Sequence, residues 1–148
     1  MAELTFHKIL VVCIGNICRS PVGERIFQQH MPEKIITSAG LHAVIGHPIE
    51  RNMVIAAQAH GINIANHQAR QLTEGMCGEQ DLILVMEKRH ISMLANVVPQ
   101  AQGKTLLFGH WHNQQEIKDP YNQHYDEHER AVTQLIKSAE GWIDVLRC

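Results

Sequence analysis

Residues 11–20, VVCIGNICRS, bring a thiol, a turn and a guanidinium close together. Cys13 ends a run of aliphatics, Gly15 and Asn16 follow, and Arg19 and Ser20 close the stretch. A helix opening at Ser20 would present free N–H groups and positive partial charge to whatever sits in the loop, which suits an anion. Gly15 lets the backbone approach a ligand closely. Asn16 tolerates left-handed backbone and can brace a loop through its amide. Successive N–H groups would then face inward as an anion nest. Arg19 offers a planar fork that matches two oxygens of a tetrahedral oxyanion. The helix end and this cation favour the thiolate of Cys13, and Ser20 can donate a hydrogen bond to it. A thiolate aimed at a bound phosphoryl group is a nucleophile set for covalent catalysis, so the chemistry expected is that of phosphate or a close mimic such as arsenate.

A departing group needs a proton, and Asp119 in KDPY, residues 118–121, is the candidate donor. Pro120 fixes the local backbone. As an acid, Asp119 could protonate a leaving phenolate; as a carboxylate, it could activate water afterwards. D-P alone is a common turn signal and gains meaning only beside the cysteine loop.

These groups need elements to carry them. HKILVVC, 7–13, is a short continuous apolar run, as expected of a strand buried on both faces. Ser20-Pro21 reads as a helix start, with Ser20 the cap and Pro21 at the first helical position, and the helix runs to His30 before Pro32. KIITSAG, 34–40, reads as a second strand ending in a glycine turn. Residues 46–61 read as a helix stopped by Gly61. DLILVME, 81–87, is another buried strand, followed by a helix of about ten residues up to Pro99. KTLLF, 104–108, reads as the last strand. From Asp126, apolar Val132, Leu135, Ile136, Ala139, Trp142, Ile143 and Leu146 take amphipathic-helix spacing. Alternating strands and helices without repeats or linkers predict one domain, 1–148, an α/β fold: a three-layer α/β/α sandwich on a four-stranded parallel sheet. Ligands bind beyond the carboxyl ends of such strands, where Cys13 sits.

Composition narrows the function. The chain has 148 residues, 45% hydrophobic, with a net charge of −2. That gives no basis for general nucleic-acid binding. No apolar run is long enough to span a bilayer. The start, MAELTFHKILVV, does not fit a secretory signal, so a cytoplasmic protein is expected. In that compartment Cys13, Cys18, Cys77 and Cys148 are thiols rather than a disulfide framework, and they lack zinc-site pairing. Among eleven histidines, His110 and His112 form an H-x-H pair, and His124 and His128 could share a helix face. A metal site would need an assembled ligand set, and solvated surface histidines are the simpler reading.

CIGNICRSP, TSAG at 37–40, HQARQLT at 67–73, DLILVME and DPY at 119–121 come in one order and spacing. In these motifs the chain resembles the low-molecular-weight protein tyrosine phosphatase family, closest to the bacterial branch associated with capsule and exopolysaccharide tyrosine kinases. The resemblance implies Cys13 as nucleophile, Arg19 as phosphate clamp and Asp119 as general acid. It implies phosphate and substrate contacts from Ile14, Gly15, Asn16, Ile17, Cys18 and Ser20. It gives Asn16, Ser20, Ser38 and His67 a supporting network, and Tyr121 the aromatic wall of the entrance, with Ile14 on the opposite side. Trp111 and Tyr125 are further candidates for the rim. Cys18 matches a cysteine that in relatives traps the nucleophile as a disulfide. Relatives outside the branch often carry two adjacent aromatics after D-P, whereas here Asn122 follows Tyr121. The implied enzyme needs no metal or organic cofactor and is a monomer or weak oligomer. Its implied partner is a phosphotyrosine protein, a bacterial tyrosine autokinase.

Two rivals share the loop. A thiol-dependent arsenate reductase needs two further cysteines about seven residues apart in mid-chain. Here Cys77 stands alone and position 84 is Leu84. A non-catalytic phosphate-binding module would dispense with the nucleophile or the acid, and both are present.

Overall fold

The computed structural model describes residues 6–147. The first five residues of the expected non-secretory start and the thiol of Cys148 lie outside the described residues. Four strands, β1 (Lys8–Cys13), β2 (Ile35–Gly40), β3 (Leu82–Val85) and β4 (Thr105–Leu107), form one sheet in the order β2-β1-β3-β4. Every pairing is parallel. The helices are α1 (Arg19–His30), α2 (Arg51–Ala59), α3 (Glu74–Glu79), α4 (Lys88–Val97) and α5 (Tyr125–Leu146), with a 3-10 turn at Pro99–Lys104.

The strand pleat explains the layers. Ile9, Val11 and Cys13 of β1 join the apolar cluster shared with α1, α2 and α5. Their neighbours Leu10 and Val12 join the cluster on the other face, with Leu94 of α4 and Cys77 of α3. Alternate residues of β1 thus enter opposite cores, which is why its sequence is continuously apolar rather than alternating. The expected three-layer α/β fold is the one observed. The order also puts a topological switch point between the ends of β1 and β3, where such sheets open a crevice.

Several boundaries differ from the sequence reading. The helix expected over 46–61 begins only at Arg51, because Glu50 is its cap and accepts from the N–H groups of Asn52 and Met53. Its end is as expected: Gly61 has φ 75°, and Ile62 N–H returns to Ala57 C=O while Gly61 N–H returns to Gln58 C=O. Ser20 is not a cap. Helix α1 begins at Arg19 behind Cys18, without a side-chain cap, and Pro21 is its third residue. The Ser20 hydroxyl is drawn instead to the Cys13 sulfur. Helix α3 and the 3-10 turn were not expected; both are six residues long, too short for a periodic signal. Gly40 does end a strand, but what requires glycine there is proximity: a Cβ would run into the Ile14 carbonyl and lie 3.1 Å from the Asn16 nitrogen.

Candidate active site

The turn from β1 into α1 is shaped by its carbonyls. Those of Cys13, Ile14 and Gly15 accept from the N–H groups of Leu41, His42 and Val44, and that of Ile17 from Glu50 N–H, at 2.8–3.0 Å. The Asn16 carbonyl accepts from His67 Nε2 at 2.7 Å. A carbonyl can only accept, so Nε2 carries the ring proton. In a planar trans peptide the next N–H points opposite to each carbonyl. Five carbonyls held from outside therefore turn the N–H groups of residues 14–18 toward the loop's own centre, the arrangement of an anion nest.

Asn16 fixes the curvature. It is fully buried and has φ 59°, the left-handed backbone the sequence suggested. Its Nδ2 donates to Ser20 Oγ at 2.8 Å and to Ser38 Oγ at 3.0 Å, while its Oδ1 accepts from Arg70 N–H at 2.9 Å. Because Ser20 Oγ accepts from Asn16, its own hydrogen is free for the Cys13 sulfur 2.9 Å away. Ser20 N–H adds a second, longer donor to the same sulfur at 3.4 Å. Burial pushes the His67 ring below the ordinary histidine range, so it stays neutral with its proton on Nε2.

Arg19 is 1% exposed. Its Nη1 donates to Glu87 Oε2 at 2.6 Å and to the Ile117 carbonyl at 2.8 Å. The other edge of the fork is uncommitted: Nε is buried with no protein partner, and Nη2 lies 3.7 Å from Asp119 Oδ2. A buried N–H without an acceptor is costly, and an oxyanion seated over the loop would satisfy it. Glu87 itself is partly buried, which alone would raise its carboxyl, but hydrogen bonds from Arg19 and Arg89 outweigh this and hold it below its usual range. Behind it, His90 Nδ1 accepts from Glu87 N–H. Burial, with the Arg19 charge beside it, pushes the His90 ring down to about 4.

A cavity of about 190 Å³ opens over Cys13, lined by Ile14, Gly15, Ile17, Cys18 and Arg19 and also by Asp119 and Tyr121. Asp119 Oδ1 accepts from Tyr121 N–H at 3.0 Å, which ties acid and aromatic into one short turn. Burial pushes the Cys18 thiol up, aided by the nearby Cys13, so Cys18 is a protonated wall residue.

Apart from the rim candidates Trp111 and Tyr125, the site residues named from the sequence fall at this place, in two layers. Asn16, Ser20 and Ser38 are buried and hold the loop, with the half-buried His67 beside them, while the others line the cavity. Trp111 and Tyr125 do not join the rim. Trp111 packs edge-on against Trp142 at 5.7 Å, and Tyr125 opens α5 and packs on the large core cluster. The histidine expectations also change: His124 takes the position before α5 without a side-chain cap bond, and His128 is buried with Nε2 3.0 Å from Glu50 Oε2. Among the described residues no three potential ligands gather as a metal site. No described helix is long and apolar enough to cross a membrane. Cys77 and Leu84 are both buried in the sheet and helix layers, and among the described residues Cys77 is a free cysteine. Glu87, Arg70, His42 and Val44 were missed. Glu87 carried one available signal, a carboxylate at the carboxyl end of a buried strand; the others meet the site only through the fold.

Comparison with known proteins agrees with this geometry. The family model described as low molecular weight phosphotyrosine protein phosphatase matches residues 8–147. The chain is 45% identical over 141 residues to the low molecular weight protein-tyrosine-phosphatase Wzb of Salmonella typhimurium, covering 95% of each. It superimposes on the crystal structure of the Erwinia amylovora tyrosine phosphatase AmsI with a TM-score of 0.95 and 48% identity, covering 97% of this chain and 95% of that one. For Vibrio vulnificus Wzb in complex with benzylphosphonate the TM-score is 0.93 and the identity 43%, covering 95% of this chain and 99% of that one.

Proposed function

Since the chain belongs to the low molecular weight phosphotyrosine protein phosphatase family, we propose that its cavity hydrolyses phosphotyrosine through a cysteinyl-phosphate on Cys13. The observation that carries this is the half-committed Arg19 fork, buried beside a sulfur that receives two hydrogen bonds. Nε and Nη2 of Arg19, with the inward N–H groups of the loop, grip the equatorial oxygens of the phosphoryl group and stabilise their charge in the transition state. The Cys13 thiolate attacks phosphorus opposite the tyrosine oxygen. The S–P bond forms as the P–O bond breaks, and Asp119 gives its proton to the departing phenolate. Asp119, now a carboxylate, takes a proton from water, whose oxygen displaces sulfur and frees phosphate. Gly15 and Ile17 let the backbone close on the phosphate, and Ser20, Asn16, Ser38 and His67 keep it in shape.

Tyr121 and Ile14 face an aryl ring from two sides, with Val44 beside them. A phosphoserine is too short to span such walls and bring phosphorus to the sulfur. The benzylphosphonate held by Vibrio vulnificus Wzb has the same parts, a ring and a tetrahedral phosphorus group. The partner we assign is a bacterial tyrosine autokinase of a capsule or exopolysaccharide export system, met in the cytoplasm by a phosphatase that is a monomer or weak oligomer and needs no cofactor.

Steady-state hydrolysis of a phosphotyrosine peptide and its phosphoserine counterpart, with EDTA present, tests the reading in native protein and Cys13→Ser. Turnover of the phosphotyrosine peptide alone, lost in the variant, is the expected result. Absence of turnover by the fully reduced native protein would overturn it.

A further inference from the structure

A second cavity, of about 520 Å³, adjoins the first and shares Ile17 and Tyr121 with it. Pro48, Ile49 and Val54 give it an apolar lining, which His47 and Arg51 share. Arg51 is exposed at the first position of α2, and among the described residues its guanidinium has no hydrogen bond or ion pair. The His47 ring has none either. The one carboxylate in the trough, Glu50, is already engaged: it accepts from Asn52 and Met53 N–H, and its Oε2 lies 3.0 Å from His128 Nε2. The trough therefore combines an apolar lining with one uncommitted guanidinium, that of Arg51. It is continuous with the phosphotyrosine cleft across Tyr121, whose ring is half exposed and faces both.

We propose that this trough is a subsite for the polypeptide flanking the phosphotyrosine, and that Arg51 selects substrates with an acidic side chain there. Resting on the phosphatase reading, it adds a specificity residue to that site. Charge complementarity names the occupant. Any bound substrate chain must leave the cleft past its rim, and the trough places an uncommitted guanidinium beside one such exit. An aliphatic neighbour in the same peptide covers Pro48 and Val54. A guanidinium fits a carboxylate in two parallel hydrogen bonds, which a neutral amide does not reproduce.

The test compares kcat/KM for phosphotyrosine peptides carrying glutamate or glutamine at the flanking positions, on the amino side in one pair and the carboxyl side in another. Free phosphotyrosine serves as the substrate without flanks. Native protein prefers the glutamate peptide on one side by about fivefold at low salt, the range of a well-placed exposed ion pair, and the preference shrinks with added salt. In Arg51→Ala the ratio falls to about one, and in Arg51→Glu it inverts. A native ratio of one on both sides, with free phosphotyrosine turned over, would overturn the subsite alone. A preference that survives Arg51→Glu would overturn it too. Failure to hydrolyse free phosphotyrosine would overturn the parent reading and the subsite with it.

Discussion

Glu87 holds one nitrogen of Arg19, leaving Nε unpartnered and Nη2 3.7 Å from Asp119. Nη1 is fixed at 2.6 Å by the carboxylate and at 2.8 Å by the Ile117 carbonyl, while Nε has no protein partner. The carboxylate lies just past β3 and the arginine at the start of α1, so the switch point between β1 and β3 aims the guanidinium. Removing this tether in Glu87→Ala leaves the charge but not its aim. We expect kcat/KM for an aryl phosphate to fall by about 100-fold, the scale of an ångström-sized misplacement. A loss below threefold in a folded variant would show that the loop alone positions Arg19.

Asp119 is tested through the leaving group. In Asp119→Asn the phenolate departs without a proton, and kcat should fall by about 10²–10⁴ for substrates with basic leaving groups. The defect should shrink as the leaving-group phenol becomes more acidic. Equal losses across a series of substituted phenyl phosphates would contradict a general-acid role.

Asn16 carries the loop's shape rather than its chemistry. Asn16→Ala removes both Nδ2 donors and the acceptor of Arg70 N–H. Each buried polar group left unpaired costs about 1–3 kcal/mol, so Tm should drop clearly. Phosphate affinity, read by competitive inhibition, should weaken as the N–H groups lose their common direction. Unchanged inhibition by phosphate would show that the outward carbonyl bonds suffice.

Acid should destabilise the fold in two stages. The unfolded His90 ring takes up a proton near 6.5, and the folded one only near 4. Between these values the unfolded chain binds more protons, so stability rises with pH. The contribution is complete above about 6.5 and is lost as pH falls to about 4. His67, also pushed down, acts with the same sign. Glu87, held below its usual carboxyl range, contributes above its unfolded value of 4.5 and loses that as pH falls further. Calorimetry from pH 7 downward should show Tm declining first through the histidine window, with a shallower decline in His90→Gln. An identical slope in that variant would remove His90 from this account.

The sheet and the loop from Cys13 to Ser20 were legible because they are local. A continuous apolar run, a Gly-Asn turn and an arginine at a helix start all lie within 7–20, and the parallel fold follows from alternation alone. Arg70 gave no sign in the sequence and Glu87 only a weak one, because their contacts with Asn16 and Arg19 form across 54 and 68 residues of sequence. Ser20 misled for a related reason: its sequence context is that of a cap, but the sulfur competes for its hydroxyl and wins. Trp111 misled because an aromatic side chain alone does not say where it packs, and the fold sets it against Trp142 of α5.

The central claim is that Cys13 carries the phosphoryl group between the two displacements. The most direct measurement is a rapid denaturing quench of Asp119→Asn with an aryl phosphate whose acidic phenol departs without a proton, so that only the water step is slowed, followed by mass spectrometry of the digested protein. The account predicts one added phosphoryl group on the peptide containing Cys13, located on its sulfur, and none in a Cys13→Ser background. Turnover that persists in Cys13→Ser, or a phosphoryl group found on another residue, would contradict it.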